Sequence, residues 1–242
     1  MSLVKLNIGC GPNIFPYPGW TNYDHDEQNE YFYYIKLVVE GLTSNPPNPY
    51  YINVFNNMTK EQRNVVNYFI NGGSANIIKH DIMSGLPQHQ DNSVDIIYLG
   101  QIIEHLNIIY QVPKVLNECF RVLKPGGVIR ITTPDLDLLL NAYFNNDMDK
   151  FAPEQPEFYK LADPGSKLCF LMFGASGPNC TFNNYEGHMF IFNKFSIRNC
   201  LLNSGFKDVY FYYEPHKSVN PILAEEAVDT GLSHSFIVEA VK

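Results

Sequence analysis

The fold of this chain is decided by residues 3–26, LVKLNIGCGPNIFPYPGWTNYDHD. Its apolar start, closed by a glycine turn, is typical of a buried strand. Gly9 and Gly11 let the backbone approach a ligand at the carboxyl end of that strand, because neither residue has a Cβ atom. A second extended segment, residues 20–23, leads to Asp24, whose carboxylate can accept hydrogen bonds from both hydroxyl groups of a ribose. Strand, glycine turn, strand and acid together predict a nucleoside-binding site.

The connection between these two strands is short. Only residues 12–19 separate the glycine turn from the second strand, and three of these eight residues are proline. Parallel strands normally need a crossover of about a dozen residues or more, which is usually helical. We therefore expect an abbreviated first crossover without a full helix, in which loop amides hold the charged end of the ligand.

LNIGCGPN…GWTNYDHD resembles the first two motifs of class I S-adenosylmethionine-dependent methyltransferases. It is closest to a branch with LNLGCG…GWxNxD that is often associated with surface-polysaccharide genes. Gly9 and Gly11 match the two core glycines of the family, and Asp24 matches its ribose-binding acid. A nicotinamide-binding GxGxxG motif would need glycine at position 14, where this chain has Ile14, so a nicotinamide-dependent oxidoreductase is disfavoured. The resemblance implies S-adenosyl-L-methionine as the cofactor.

The rest of the chain alternates strand and helix patterns, which is typical of an α/β fold. Further strands are predicted at residues 76–79, 94–99, 128–132, 207–213 and 235–241. Helices are predicted at residues 31–41, 59–71, 101–109, 113–123, 135–144, 156–173 and 193–203. Since no long helix separates the last two strands, we expect them to form an antiparallel hairpin at the sheet edge. We predict a single domain over residues 1–242 with a Rossmann-like, mostly parallel, seven-stranded sheet and this antiparallel final hairpin.

The resemblance continues over residues 76–135 and 188–213, with its motifs in family order. It implies that Asp81 and Ile82 clamp the adenine ring of the cofactor. It also implies that residues after the fourth strand contact the methionine portion. The complete set of implied cofactor contacts is Gly9, Cys10, Gly11, Asp24, His25, Asp81, Ile82, Gly100 and Gln101.

Three side chains are candidates for acid–base chemistry. The methyl group of a sulfonium is already activated, so in-line positioning supplies most of the rate, but a hydroxyl acceptor still benefits from a general base. The candidates, in order, are His105, His188 and Asp135. Glu104 and His105 match a Glu-His pair of the family. On a helix these neighbours point about 100° apart, so they do not form a dyad.

Structural roles for the same residues stay open. His105 also fits a hydrogen-bonded helix histidine, and Asp135 also fits the N-cap of the following helix. The sequence contains no metal-ligand spacing, so no metal site is predicted. Residues 145–192 break the alternating pattern and are rich in Gly, Asn and Ser toward their end. We predict that they form a lid or substrate-selecting insertion on the substrate side.

The amino-acid composition indicates which classes of binding partner are favoured. A net charge of −8 disfavours a nucleic-acid substrate, which needs several cations to neutralise phosphates. Five scattered cysteines without paired spacing indicate reduced thiols and a cytoplasmic protein, and no apolar run approaches the ~20 residues of a membrane span. The expected function is methyl transfer to an oxygen or nitrogen nucleophile of a small molecule or glycan, and a homodimer is left open. The alternative is a catalytically silent scaffold or binding protein that keeps the methyltransferase fold.

Overall fold

The computed structural model describes residues 3–10, 15, 17, 19–24, 30–58, 60–73, 75–154, 157–173, 187–226 and 233–242. The chain divides into two units, Met1–Ser84 and Gly85–Lys242. Its seven strands form one mixed sheet, and the predicted α/β, Rossmann-like class is confirmed. Within the described parts of the chain, no helix combines the length and the apolar character that crossing a membrane requires.

Among its described residues, the first unit contains three parallel strands and three helices. The strands are β1 (Lys5–Ile8), β2 (Trp20–Asp24) and β3 (Asn76–Lys79), and the helices are α1 (Glu30–Thr43), α2 (Pro49–Asn57) and α3 (Lys60–Ile70). Strands β1 and β3 both pair with β2, so their order is β3-β2-β1. Ile35 and Val38 of α1 and Val66 of α3 are fully buried, and Val54 and Phe55 of α2 pack against them in one apolar cluster.

The connection between β1 and β2 is held by a side-chain amide. The strand bounds leave residues 9–19 for this connection, which agrees with the predicted abbreviated crossover. Asn22 Oδ1 accepts a hydrogen bond from the Phe15 amide at 2.8 Å, and Asn22 Nδ2 donates to the Phe15 carbonyl at 3.0 Å. The Phe15 ring packs edge-on against Trp20, with ring centroids 4.7 Å apart. Asn22 therefore satisfies two backbone groups of the connection, and Trp20 provides an apolar contact for it.

The second unit contains four strands and six helices among its described residues. They are β4 (Val94–Gly100), α4 (Gln111–Val122), β5 (Leu123–Pro134), α5 (Leu136–Phe144), α6 (Glu157–Leu161), α7 (Pro164–Phe173), α8 (Lys194–Asn203), β6 (Lys207–Tyr212), α9 (Pro221–Glu226) and β7 (Ser235–Val241). Strand β4 is parallel to β5, and β7 is antiparallel to both β5 and β6. The order is β4-β5-β7-β6. The last two strands pair as predicted, with β7 on the inner side, and the short α9 is the helix among the described residues between them.

A buried ion pair crosses the sheet of this unit. Arg130 of β5 stands opposite Glu239 of β7, and their side chains are 1% and 0% exposed. Arg130 Nη1 lies 2.6 Å from Glu239 Oε1. The other carboxylate oxygen, Oε2, accepts from the Val219 amide at 2.8 Å. Both charges are therefore paired and hydrogen-bonded, as a buried pair requires.

Two predicted helices are wrong in extent. Residues 101–109 form only a 3-10 turn, Ile103–His105, and the next helix begins at Gln111. The reason is local competition for backbone hydrogen bonds, since the Asn107 side chain accepts from the Ile109 amide and the Gln111 side chain accepts from the Asn107 amide.

The predicted helix at residues 156–173 is interrupted before Pro164, where α7 begins. Proline lacks an amide hydrogen and clashes inside a helix, but it fits the first helical turn. The carboxylate of Asp163 accepts hydrogen bonds from the Gly165 and Ser166 amides and caps the new helix.

Candidate active site

The first unit brings several predicted cofactor contacts to the carboxyl ends of its strands. Gly9 follows β1 with a φ of 65°, in the left-handed region that glycine adopts without strain. The next residue, Cys10, donates its amide hydrogen to the Tyr23 carbonyl at 3.0 Å and its thiol lies 3.6 Å from Asp24 Oδ2. The turn after β1 therefore lies directly beside the end of β2.

Asp24 is buried at the last position of β2, with 4% of its surface exposed. Its carbonyl accepts a hydrogen bond from the His80 amide at 2.6 Å, which joins the end of β2 to the segment after β3. The His80 ring in turn meets the Tyr23 ring edge-on, with centroids 5.7 Å apart. Packing on both sides thus fixes the backbone that presents the Asp24 carboxylate.

Asp81 and Ile82 lie just after β3 at the same strand ends. Asp81 is exposed, and its Oδ1 accepts from the Met83 amide at 2.8 Å at the start of the 3-10 turn Ile82–Ser84. The Asp81 carboxylate therefore has a local structural role beside its predicted contact with adenine. Two other predicted contacts, Gly11 and His25, lie outside the described residues.

In the second unit, Gly100 ends β4 and Gln101 begins the chain's departure from the sheet. A Cβ atom on Gly100 would come within 2.5 Å of the Tyr98 ring, so a larger residue does not fit there without a shift of that ring. Gln101 has a φ of 57°, and its amide donates to the Thr132 carbonyl at 2.8 Å. Its side-chain amide donates to Ser235 Oγ at 3.2 Å. Both the backbone and the side chain of Gln101 are thus fixed by neighbouring strands.

Glu104 is a fully buried carboxyl group in the 3-10 turn after β4. Its Oε2 accepts from Thr133 Oγ1 at 3.1 Å, whereas Oε1 has no hydrogen-bond partner. Burial raises the pKa of Glu104 to about 8, against smaller lowering effects of its backbone and Thr133 hydrogen bonds. The Glu104 carboxyl group is therefore largely protonated at neutral pH.

The two histidine candidates meet although they are far apart in the sequence. The rings of His105 and His188 pack edge-on with centroids 4.9 Å apart. The chain reaches this position because the Met189 and Phe190 amides both donate to the Glu104 carbonyl, at 2.8 and 3.1 Å. One carboxylate oxygen of Glu104 and one ring nitrogen of each histidine lie within 4.8 Å of one another.

His188 is held from the other side by the end of α7. Its backbone amide donates to the Phe173 carbonyl at 3.1 Å, and its Nδ1 lies 3.1 Å from the Met172 carbonyl. Because a carbonyl only accepts, Nδ1 carries the hydrogen and Nε2 keeps the lone pair. Burial, followed by repulsion from the neighbouring His105, lowers the pKa of His188 to about 4. The ring is therefore neutral at physiological pH.

Asp135 has the structural role that the sequence left open. Its Oδ1 accepts from the Asp137 and Leu138 amides, at 3.0 and 3.3 Å, and caps α5. Its Oδ2 accepts from the Tyr213 hydroxyl at 2.8 Å. Both carboxylate oxygens are thus engaged in local structure, and a catalytic role for Asp135 stays a prediction.

Sequence reasoning missed the association of Glu104 with the two histidines. The expected direction of neighbouring side chains on a helix, about 100° apart, argued against a pair, yet donor atoms of Glu104 and His105 lie within 4.8 Å of each other in the structure. No local spacing points to His188 as the third member, because it arrives through hydrogen bonds between distant segments.

Comparison with known proteins agrees with this fold. Residues 39–131 match a family described as a methyltransferase domain. The chain is 43% identical over 58 residues to a probable S-adenosylmethionine-dependent methyltransferase from Mycolicibacterium smegmatis, a match that covers 24% of this chain and 21% of the relative. This chain thus spans about a fifth of the length of that curated relative.

Solved structures resemble the chain over nearly its whole length. An S-adenosylmethionine-dependent methyltransferase from Methanosarcina mazei is 18% identical, with a TM-score of 0.50 and coverage of 100% of this chain and 93% of the other. A second, from Archaeoglobus fulgidus, is 15% identical, with a TM-score of 0.47 and coverage of 99% and 86%.

These findings bear on the class of protein. Residues 39–131 are similar to a methyltransferase domain and the chain shares the fold of the Methanosarcina structure, so both findings support the predicted class I S-adenosylmethionine-dependent methyltransferase. S-adenosyl-L-methionine is the cofactor of that class, as predicted. The matched region begins after the motif at residues 3–26, so the roles of Gly9 and Asp24 rest on the sequence and on the geometry of the first unit.

Proposed function

We propose that this protein transfers the methyl group of S-adenosyl-L-methionine to an oxygen or nitrogen nucleophile of a small molecule or glycan. The observation that supports this most strongly is the buried Asp24 carboxylate, which lies beside the turn at Gly9 and Cys10 at the ends of two parallel strands. Open α/β sheets bind nucleotides outside the carboxyl ends of their strands. The Mycolicibacterium relative, named a probable S-adenosylmethionine-dependent methyltransferase, supports the same activity.

Each predicted cofactor contact has a distinct role in this proposal. Asp24 accepts the ribose hydroxyls, and the backbone at Gly9 and Cys10 approaches the charged end of the cofactor. Asp81 accepts from the exocyclic amine of adenine while Ile82 covers the ring. Gly11, His25, Gly100 and Gln101 keep the roles that the resemblance implies. The reaction then needs mainly alignment of the acceptor with the methyl group, because the sulfonium is already activated.

The three candidates for the general base differ in how well they could accept a proton. A base works best when its pKa lies near the working pH, and the pKa of about 4 makes His188 a weak proton acceptor. Asp135 uses both carboxylate oxygens in the cap of α5 and in the contact with Tyr213. His105 is therefore the preferred base in the absence of a metal ion.

The remaining parts of the proposal concern the insertion, the cellular location and the binding partners. Residues 145–192 act as the substrate-selecting insertion of a single methyltransferase domain; of these, residues 155–156 and 174–186 lie outside the described residues. The four cysteines within the described residues are free thiols, which supports a cytoplasmic location. The acceptor is a small molecule or glycan, without nucleic acid or membrane, and a homodimer stays a prediction.

Calorimetric titration with S-adenosylhomocysteine tests the proposal first. S-adenosylhomocysteine is what remains of the cofactor after methyl transfer. We expect it to bind stoichiometrically and NADH not to bind. Transfer of a radiolabelled methyl group from S-adenosylmethionine to a panel of small-molecule and oligosaccharide acceptors then tests catalysis. Binding without transfer to any acceptor would favour the catalytically silent alternative, and absence of binding would contradict the proposed function.

A further inference from the structure

The second unit contains a cluster of three side chains of the kinds that bind metal ions, Glu104, His105 and His188. One oxygen of Glu104 and one ring nitrogen from each histidine lie within 4.8 Å of one another. Around a tetrahedral ion with bonds of about 2.1 Å, donor atoms lie ~3.4 Å apart. Displacements of the donor atoms by about an ångström, through side-chain rotation, would therefore bring all three within bonding distance of one ion. Glu104 is buried and both histidines are partly exposed, so an ion could reach the cluster from solvent.

The surroundings of the cluster match those of metal ligands. A metal-binding histidine usually donates its second ring N–H to a carbonyl or carboxylate, which fixes its orientation. His188 has this arrangement, because its Nδ1 bonds to the Met172 carbonyl and leaves the lone pair on Nε2. The Glu104 carboxylate is likewise held through one oxygen by Thr133.

Glu104 supplies an independent indication of a ligand. Its Oε1 is buried and has no hydrogen-bond partner, although a buried carboxyl oxygen without one is costly. A cation bound to this oxygen and to the two imidazoles would satisfy it. Since neutral imidazole and carboxylate donors suit first-row transition metals better than Mg²⁺ or Ca²⁺, the donor set also indicates the class of ion.

We propose that Glu104, His105 and His188 bind one divalent first-row transition-metal ion, such as Zn²⁺ or Co²⁺. Three protein ligands leave at least one coordination position open for water or an acceptor oxygen. The site does not depend on the proposed methyl transfer, since all three ligands belong to the second unit and binding needs no cofactor. A coordinated His105 has no lone pair for a proton, so the metal-loaded protein would not use His105 as a base.

The test uses the full chain without a polyhistidine tag, stripped of metal with a chelator and then desalted. Calorimetric titration with Zn²⁺ should give one site per chain, whereas Mg²⁺ should give no saturable binding at that site. We expect His105→Ala and His188→Ala, which each remove a ligand, and Glu104→Gln, which replaces the anionic ligand by a neutral amide, to weaken Zn²⁺ binding by at least about 100-fold each. The matched control is His216→Ala, which removes an exposed histidine of the same unit and should leave the affinity unchanged.

A second measurement does not depend on whether the variants fold. In wild-type protein loaded with one equivalent of Co²⁺, proton NMR should show two exchangeable, hyperfine-shifted imidazole N–H signals, one for each histidine ligand. Absence of a stoichiometric site in wild type would overturn the proposal. Unchanged Zn²⁺ affinity in folded variants of both cluster histidines, or its loss in His216→Ala, would also overturn it. Failure of S-adenosylhomocysteine binding would affect only the proposed function.

Discussion

Asp24 combines burial with a position at the end of a strand. Its side chain is 4% exposed and lies next to the Cys10 thiol, so the carboxylate is presented by a backbone with little freedom to move. Such a group is preorganised for hydrogen bonds to a bound ribose, because little ordering remains to be done when the ligand arrives.

Replacing Asp24 tests the proposed ribose contact. Asp24→Asn keeps the shape of the side chain but removes its charge and one acceptor oxygen. We expect the binding free energy of S-adenosylhomocysteine to weaken by about 1.5–3 kcal/mol, roughly 10- to 150-fold in affinity, the range for hydrogen bonds to a charged group. Calorimetry measures the change, and Glu40→Gln, at an exposed position of α1, is the control. Unchanged affinity would remove Asp24 from the proposed site.

Arg130 carries a second residue-scale prediction. Arg130→Met should lower the free energy of unfolding by about 3–5 kcal/mol, because it leaves the buried charge of Glu239 without its partner. Arg130→Met combined with Glu239→Gln should recover part of this loss, since no unpaired charge remains, the amide oxygen still accepts from the Val219 amide, and the NH2 group can donate to the Ser218 hydroxyl oxygen. Urea denaturation at neutral pH measures the free energy of unfolding of the wild type, the single variant and the double variant.

A surface pair provides the comparison for Arg130. Lys217→Met breaks an exposed ion pair with Glu214 and should cost less than about 1 kcal/mol. Equal losses in Arg130→Met and Lys217→Met would contradict the inference that the Arg130–Glu239 pair is buried and tightly coupled.

At the scale of elements, helix α5 depends on the side chain that precedes it. The Asp135 carboxylate accepts from two amides of the first turn, which otherwise have no partner within the helix. The same carboxylate accepts from Tyr213, just beyond β6, so a single residue joins the start of α5 to the segment after that strand.

Two substitutions separate the capping role of Asp135 from a catalytic one. Asp135→Ala should destabilise the protein by about 1–2 kcal/mol through loss of the cap, whereas Asp135→Asn should stay within about 0.5 kcal/mol of wild type. Both losses are read from denaturation midpoints. If Asp135→Asn keeps its stability and loses methyl transfer by about 100-fold or more, the carboxylate acts on the substrate and the purely structural role is wrong.

At the scale of the whole molecule, a ligand that binds only the folded state raises the unfolding temperature. S-adenosylhomocysteine at about 100 times its dissociation constant should add about 2.7 kcal/mol, which for a chain of this size corresponds to roughly 5–10 °C. Differential scanning fluorimetry measures the shift. NADH at the same concentration should give none, and a shift with NADH alone would revive the oxidoreductase that Ile14 disfavours.

The sequence by itself determined the sheet and the first strand end. Strong apolar runs and glycine turns predict strands from local pattern, and β3 and β7 have the predicted bounds. Asp24 was also predicted, because its place at the end of β2 follows from alternation and spacing within one short stretch. The short connection before β2 followed from proline content and length alone.

Only the tertiary structure decided what lies beyond local pattern. The helix expected at residues 101–109 is a single 3-10 turn, because side-chain amides at Asn107 and Gln111 compete for its backbone hydrogen bonds. Hydrogen bonds from Met189 and Phe190 to the Glu104 carbonyl then bring His188 beside Glu104 and His105. Their meeting depends on contacts between segments that are distant in the sequence, and no spacing rule encodes such contacts.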